Sequence, residues 1–123
     1  MLRAMAELPS MDGRVCLVTG GNSGIGEATA SGLARLGAQV HIVSRNAERG
    51  EAAVARIEKA TQQEIGLIVG DLGSIAKIRA LAETILERLP KLHVLVNNAG
   101  LMSTERRETP DGFEMTMAVN HLG

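Results

Sequence analysis

The chain is 123 residues long, 45% hydrophobic and 22% charged, enough for one globular domain with its own core. Thirteen basic residues scattered among fourteen acidic ones give a net charge of −1, which leaves no electrostatic footprint for nucleic acid or an anionic membrane surface. One Phe, no Tyr and no Trp leave packing to Val, Ile, Leu, Ala and Met, and exclude any chemistry that needs a phenol of this chain.

The opening stretch MLRAMAELPS carries Glu7 and has no long apolar run, so it reads as neither a signal peptide nor a membrane anchor. Residues 1–11 are expected to form a loose tail, with Met11 a second candidate start, and residues 12–123 a single domain. The first strand is predicted at VCLVT (15–19). It contains the lone Cys16, a small core residue that suits a reducing, cytoplasmic compartment. A glycine-rich turn, TGGNSGIG (19–26), then runs into a helix over 24–38 that should stop at Gly37. Strand VHIVS (40–44), helix 46–61, strand IGLIVG (65–70), helix 74–90 and strand HVLVN (93–97) follow.

Each strand is nearly continuous in hydrophobicity and rich in β-branched residues, as expected where both faces of a sheet are covered. In the helix over 74–90, Ser74 is a suitable N-cap and Pro90 a stop, and Ile75, Ile78, Ala82, Ile85 and Leu89 form the apolar stripe. The alternation of strand and helix predicts βαβ units around a parallel sheet.

Glycines at 20, 24 and 26 let the backbone turn tightly, approach a pyrophosphate and pack helix against strand, while the helix N-terminus offers free N–H groups to the anion. The bland alternative is a simple tight turn, and the strand before it and helix after it favour nucleotide binding. The spacing is T-G-x-x-x-G-x-G, a departure from G-x-G-x-x-G.

With these residues in place, the chain resembles the short-chain dehydrogenase/reductase family. Thr19, Gly20, Gly24 and Gly26 match its glycine signature, Asp71 and Leu72 its Asp-Leu pair after strand three, Asn97 to Gly100 its NNAG motif, and Val119, Asn120 and Gly123 its V-N-x-x-G pattern. The resemblance covers 12–123, and details such as NSGIGEATA and NNAGLM are most similar to its retinol-dehydrogenase-like branch.

The resemblance implies a Rossmann-type, doubly wound parallel α/β sheet, incomplete here, with four strands in the order 3-2-1-4 and a cofactor at the switch between strands one and four. It assigns Gly20, Asn22, Ser23, Gly24, Ile25 and Gly26 to the pyrophosphate and adenosine ribose. Asp71 would accept from the adenine amino group and Leu72 would lie against the ring, the alternative for Asp71 being a strand-end cap. Asn98, Ala99 and Gly100 would run beside the cofactor riboses, and Asn97 would brace neighbouring strands.

A carboxylate at the end of strand two would favour NAD, but the chain has Ser44 and Arg45 there and no acid until Glu48. That predicts NADP rather than NAD, with a solvated surface charge as the alternative for Arg45.

Catalysis in the family uses an Asn, a Ser, and a Tyr and Lys spaced as Y-x-x-x-K. Only the Asn stands in its motif, as Asn120. The ending AVNHLG therefore resembles the middle of a catalytic helix, and the chain is expected to be the N-terminal part of an NADP(H)-dependent oxidoreductase of alcohol or carbonyl substrates, lipid-like or retinoid-like. The alternatives are a nucleotide-binding module without catalysis and an unstable truncated form. Strand four, left as an edge, predicts marginal stability or self-association.

His41, His93 and His121 lack ligand partners at metal spacing and read as partly buried structural residues. Phe113, Met115 and Met117 read as packing for the last helix, and Glu105 to Glu108 as a solvated loop.

Overall fold

The computed structural model describes residues 8–123, so residues 1–7 of the tail expected over 1–11 lie outside the described residues. Strands β1 (Val15–Thr19), β2 (Gln39–Ser44), β3 (Ile65–Val69) and β4 (Val94–Val96) form one parallel sheet in the order β3-β2-β1-β4. Cys16 stands beside Val40 and Val94, and Val40 beside Ile65. Helices α1 (Gly24–Arg35), α2 (Ala47–Thr61) and α3 (Ile75–Arg88) connect them.

Successive strand residues point to opposite faces, so the apolar runs feed two cores. Cys16, Val18, Val40 and Ile42 meet Ala30 and Ala34 of α1 and Ala53 and Ile57 of α2 on one face. Leu17, Val43 and Ile68 meet Leu81 of α3 and Leu89, the residue that follows it, on the other. Cys16 is free and buried, and burial pushes its thiol up, as suits an unreactive core residue. Met11 packs against the first core and donates its N–H to the Leu36 carbonyl at 2.8 Å.

The helix ends follow from local sequence. Gly37 takes φ +94° after α1. Leu89, which precedes Pro90, is extended and ends α3. Asn46 caps α2 by accepting from the Arg49 N–H at 2.9 Å. Ser74 caps α3 by accepting from the Lys77 N–H at 3.2 Å, and Asp111 adds a bond from the Ile75 N–H at 2.8 Å.

Three expectations are corrected. The stripe of α3 is built on Leu81 rather than Ala82, and Ile75 is exposed. Both stripes obey helical spacing, but Leu81 buries far more apolar area than an alanine, and Gly70 leaves it room, since a Cβ there would lie 2.5 Å from Leu81 Cδ1. Strand four is three residues long, because His93 is spent outside it. Its N–H donates to the Val15 carbonyl, and its ring Nδ1 accepts from the Val15 N–H, both at 2.9 Å.

The last segment, α4 (Met115–Met117) continued by a π-helical turn Ala118–Leu122, buries Ala118 alone. Phe113 and Met117 are exposed instead of packing, as is His121. The loop over 105–108 is exposed as expected. β4 is the edge of the sheet, with Leu95 51% exposed. Among the described residues no helix is long and apolar enough to cross a membrane.

His41 is half-buried on β2 beside Gly66 of β3. Its Nδ1 is sealed from solvent without a hydrogen-bond partner among the described residues, and burial, then the Arg88 charge, holds its pKa below the usual value. A Cβ at Gly66 would collide with this ring. Gly66→Ala is therefore expected to destabilise by about 1–3 kcal/mol. Gly32→Ala, in α1 with open space around it, should stabilise by about 0.5–1 kcal/mol. Denaturant unfolding of the two variants checks both signs.

Candidate functional site

Because the strands are parallel, all four carboxyl ends open on one side. There the chain turns from β1 into α1 on one face, and β4 leads to a segment beside it. A cleft of about 520 Å³ lies at this divergence, the place where open α/β sheets receive ligands.

The glycine loop forms its floor. Gly20 and Gly24 take φ +64° and +54°, backbone that L side chains rarely adopt. Gly20 lies against the NNAG turn, where an added Cβ would stand 2.9 Å from Ala99 Cα, and a Cβ at Gly26 would strike the Gly20 carbonyl and the Asn98 amide. Asn22, Ser23, Gly24, Ile25 and Gly26 all line the cleft, with Ile25 80% exposed at its mouth. Ser23, at the N-cap of α1, makes no side-chain cap bond. α2 and α3 are closed by Asn46 and Ser74, whereas α1 has no side-chain cap and its first residues, Gly24, Ile25 and Gly26, line the cleft.

The second wall is NNAG. Thr19 Oγ1 accepts from the backbone N–H of Asn98 at 3.1 Å and of Ala99 at 3.0 Å, and donates to the Val96 carbonyl at 3.4 Å. Asn98 Nδ2 donates to the carbonyls of Thr19 at 3.0 Å and Gly20 at 3.3 Å. The brace expected of Asn97 thus belongs to Asn98, because alternation along the chain leaves Asn97 exposed. Asn98, Ala99 and Gly100 line the cleft.

Asn120 does not line it; Val119 and Leu101 do. The Asn120 side chain is spent on the Leu101 backbone, accepting its N–H at 2.8 Å and donating to its carbonyl at 2.9 Å. It fastens the π-helical turn to the chain leaving NNAG.

The third wall lies at the ends of β2 and β3. Arg45 lines the cleft as expected, but Ser44 does not. It is buried, and its hydroxyl donates to the Asn46 carbonyl at 2.8 Å and accepts the Asn46 N–H at 3.3 Å, shaping the turn from beneath.

Arg49 joins Arg45 on the cleft wall, though no motif in the sequence marks it. Its signal was the position four beyond Arg45 in the first turn of α2, with Asn46 as cap between them.

Asp71 and Leu72 also line the cleft. Asp71 accepts the Gly73 N–H at 2.8 Å and the Lys77 ammonium at 3.1 Å. Burial alone pushes its carboxyl up. The Lys77 and Gly73 bonds, with the Lys77 and Arg45 charges, outweigh that and hold it below the usual carboxylate range. Among the described residues no three His, Cys, Asp or Glu side chains gather as a metal site.

A doubly wound parallel sheet, an uncapped helix behind a glycine loop and a cleft at the strand switch define a Rossmann-type nucleotide-binding class. The family model for short chain dehydrogenases matches residues 14–123. The chain belongs to that family.

It is 46% identical over 112 residues to retinol dehydrogenase 12 of Bos taurus, covering 90% of this chain and 35% of that protein. To human retinol dehydrogenase 11 it is 44% identical over 114 residues, 92% of this chain and 36% of that protein. The chain thus spans about a third of the length of these curated relatives. Among solved structures, a metagenomic short-chain oxidoreductase in complex with NADP superposes with a TM-score of 0.75 at 34% identity, over 89% of this chain and 51% of that one. The Pseudomonas aeruginosa RhlG/NADP complex gives 0.69 at 42% identity, over 75% of this chain and 36% of that one.

Thr19→Val keeps the shape of the β1 end but removes the oxygen that serves two part-buried N–H groups. A loss of about 1–3 kcal/mol is expected in denaturant unfolding. Asp71, whose folded-state pKa is depressed, contributes stability that is present above its unfolded pKa and lost as pH falls through the folded one. Acid unfolding below about pH 4 should accordingly be shallower in Asp71→Asn than in the parent.

Proposed function

We propose that this chain binds NADP(H) and is the cofactor-holding part of an oxidoreductase acting on alcohols or carbonyls of a lipid-like or retinoid-like kind. The observation that carries the cofactor choice is the pair Arg45 and Arg49, both on the cleft wall at the end of β2, where a carboxylate would favour NAD instead. The relatives named retinol dehydrogenase and the solved complexes with NADP support the same reading.

The residues fit such a cofactor. The collision that a Cβ would suffer at Gly26 keeps that wall bare backbone, and the uncapped turn at Ser23 leaves donors for a pyrophosphate. Gly20, Asn22, Ser23, Gly24, Ile25 and Gly26 would hold the pyrophosphate side, and Asn98, Ala99 and Gly100 the ribose side. Asp71 and Leu72 would take the adenine end, and Arg45 with Arg49 a 2′-phosphate. Ser44 would act beneath them by holding the turn.

Bound nicotinamide supplies hydride exchange. Asn120, whose amide is committed to the Leu101 backbone, would hold the π-helical turn rather than touch the ligand. A cytoplasmic setting belongs to the same proposal, supported by the free, buried Cys16.

A second reading is a nucleotide-binding module without catalysis, favoured by one observation: these 123 residues contain no tyrosine, so no phenol of this chain can carry the family's proton.

Self-association through the β4 edge is also proposed, and sedimentation should then show a mass that rises with concentration. For the cofactor, NADPH is expected to raise the melting temperature of the chain more than NADH at equal concentration. Arg45→Ala and Arg49→Ala should each weaken NADPH binding about tenfold and leave NADH nearly unchanged. An equal response to both nucleotides in the parent chain would overturn the NADP assignment.

A further inference from the structure

Arg56 lies on α2, outside the cleft, yet it reaches the glycine loop. Its Nε donates to Glu27 Oε1 and its Nη2 to Glu27 Oε2, each at 2.9 Å. The same Nη2 donates to the Asn22 carbonyl at 3.2 Å. One guanidinium from α2 therefore holds both α1 and the loop that precedes it.

As an ion pair alone this contact would mean little. The Arg56 side chain is 54% exposed, and exposed pairs contribute almost nothing to stability. What distinguishes it is where its acceptors sit. Glu27 follows Gly26 directly in the first turn of α1. A carboxylate there suits the helix dipole but opposes an anion arriving at the same N–H groups. The Arg56 hydrogen bond holds the Glu27 carboxyl ionised, below its usual pKa, and the guanidinium screens the charge it leaves.

Asn22 O belongs to the peptide unit that joins Asn22 to Ser23, both on the cleft wall. In a trans peptide the C=O and the next N–H point in opposite directions, and no cis bond occurs among the described residues. Drawing the Asn22 carbonyl toward α2 therefore aims the Ser23 N–H away from α2.

Resting on the nucleotide reading above, we propose that Arg56 is a positioning residue of the glycine loop: it orients the Asn22–Ser23 peptide and screens Glu27, so that a pyrophosphate meets donors and not an acid. Arg56 touches no ligand. It acts through Asn22 and Glu27.

The test compares two probes on the full chain by titration calorimetry. NADPH carries the pyrophosphate, whereas adenosine 2′-monophosphate has none and addresses the Arg45 and Arg49 corner. Arg56→Ala is expected to weaken NADPH about tenfold and to leave adenosine 2′-monophosphate unchanged. Arg56→Lys should recover part of the loss. Glu27→Gln placed in the Arg56→Ala background should also recover part, because the unscreened carboxylate is gone; a mere staple between helices would gain nothing from that change. Lys59→Ala, an exposed cation in the last turn of α2, should alter neither probe. Equal losses for both probes, or no loss for NADPH, overturn the positioning role. A parent chain that binds neither probe overturns the nucleotide reading itself, and this role with it.

Discussion

The cleft depends on two backbone segments lying closer together than side chains permit. Gly20 and Gly26 face the NNAG turn across gaps that a single Cβ would close, and the Thr19 hydroxyl and Asn98 amide fill the seam with hydrogen bonds. The first two walls of the site are placed by this contact. It sets the start of α1 at the carboxyl end of β1 and brings the β4 segment alongside. Each of these bonds joins one side-chain atom to the backbone of the facing wall, which is why a bare approach is needed: a larger residue at either glycine would both separate the walls and strand the N–H groups that Thr19 now satisfies.

Most of this was legible in the sequence, for a physical reason. Glycine position, strand hydrophobicity and helix stops act locally, so TGGNSGIG, the apolar runs, Gly37, Ser74 and Pro90 announce their own structure, and the strand order follows from the family they resemble. What was not legible depends on which of two equivalent partners tertiary packing selects. Ala82 and Leu81 both lie on an acceptable stripe of α3, and only the hollow at Gly70 decides between them. Asn97 and Asn98 are the same residue type in adjacent positions, and only the twist of the chain after β4 decides which one meets Thr19. Ser44 looked like a ligand contact because it ends a strand at the cleft. Its hydroxyl is instead turned into the Asn46 turn, where an unpaired buried oxygen would be costly.

The helix ends divide in the same way. α2 and α3 satisfy their first-turn N–H groups with Asn46, Ser74 and Asp111, residues that come from their own caps or from a loop pinned nearby. α1 has a serine at the corresponding place and leaves it unused. Ser23 stands at the cap and its carbonyl takes the Glu27 N–H, yet its hydroxyl caps nothing. It lies between Gly20 and Gly24, both of which take positive φ. The terminus is thus open although a residue able to cap it is in place.

Charge follows from these placements rather than from composition. A net charge of −1 hides a local arrangement in which two acids near the cleft are each held by a neighbouring cation: Asp71 by Lys77, and Glu27 by Arg56. Arg45 and Arg49 stand on the same wall with no acid bonded to them among the described ion pairs. Pairing therefore shapes the field in the cleft: the two bonded carboxylates are offset by their own cations, while the Arg45 charge is shared with Asp71 across the wall. A near-neutral chain can in this way place two guanidinium groups on one wall, an arrangement that neither its pI nor its residue counts reveal.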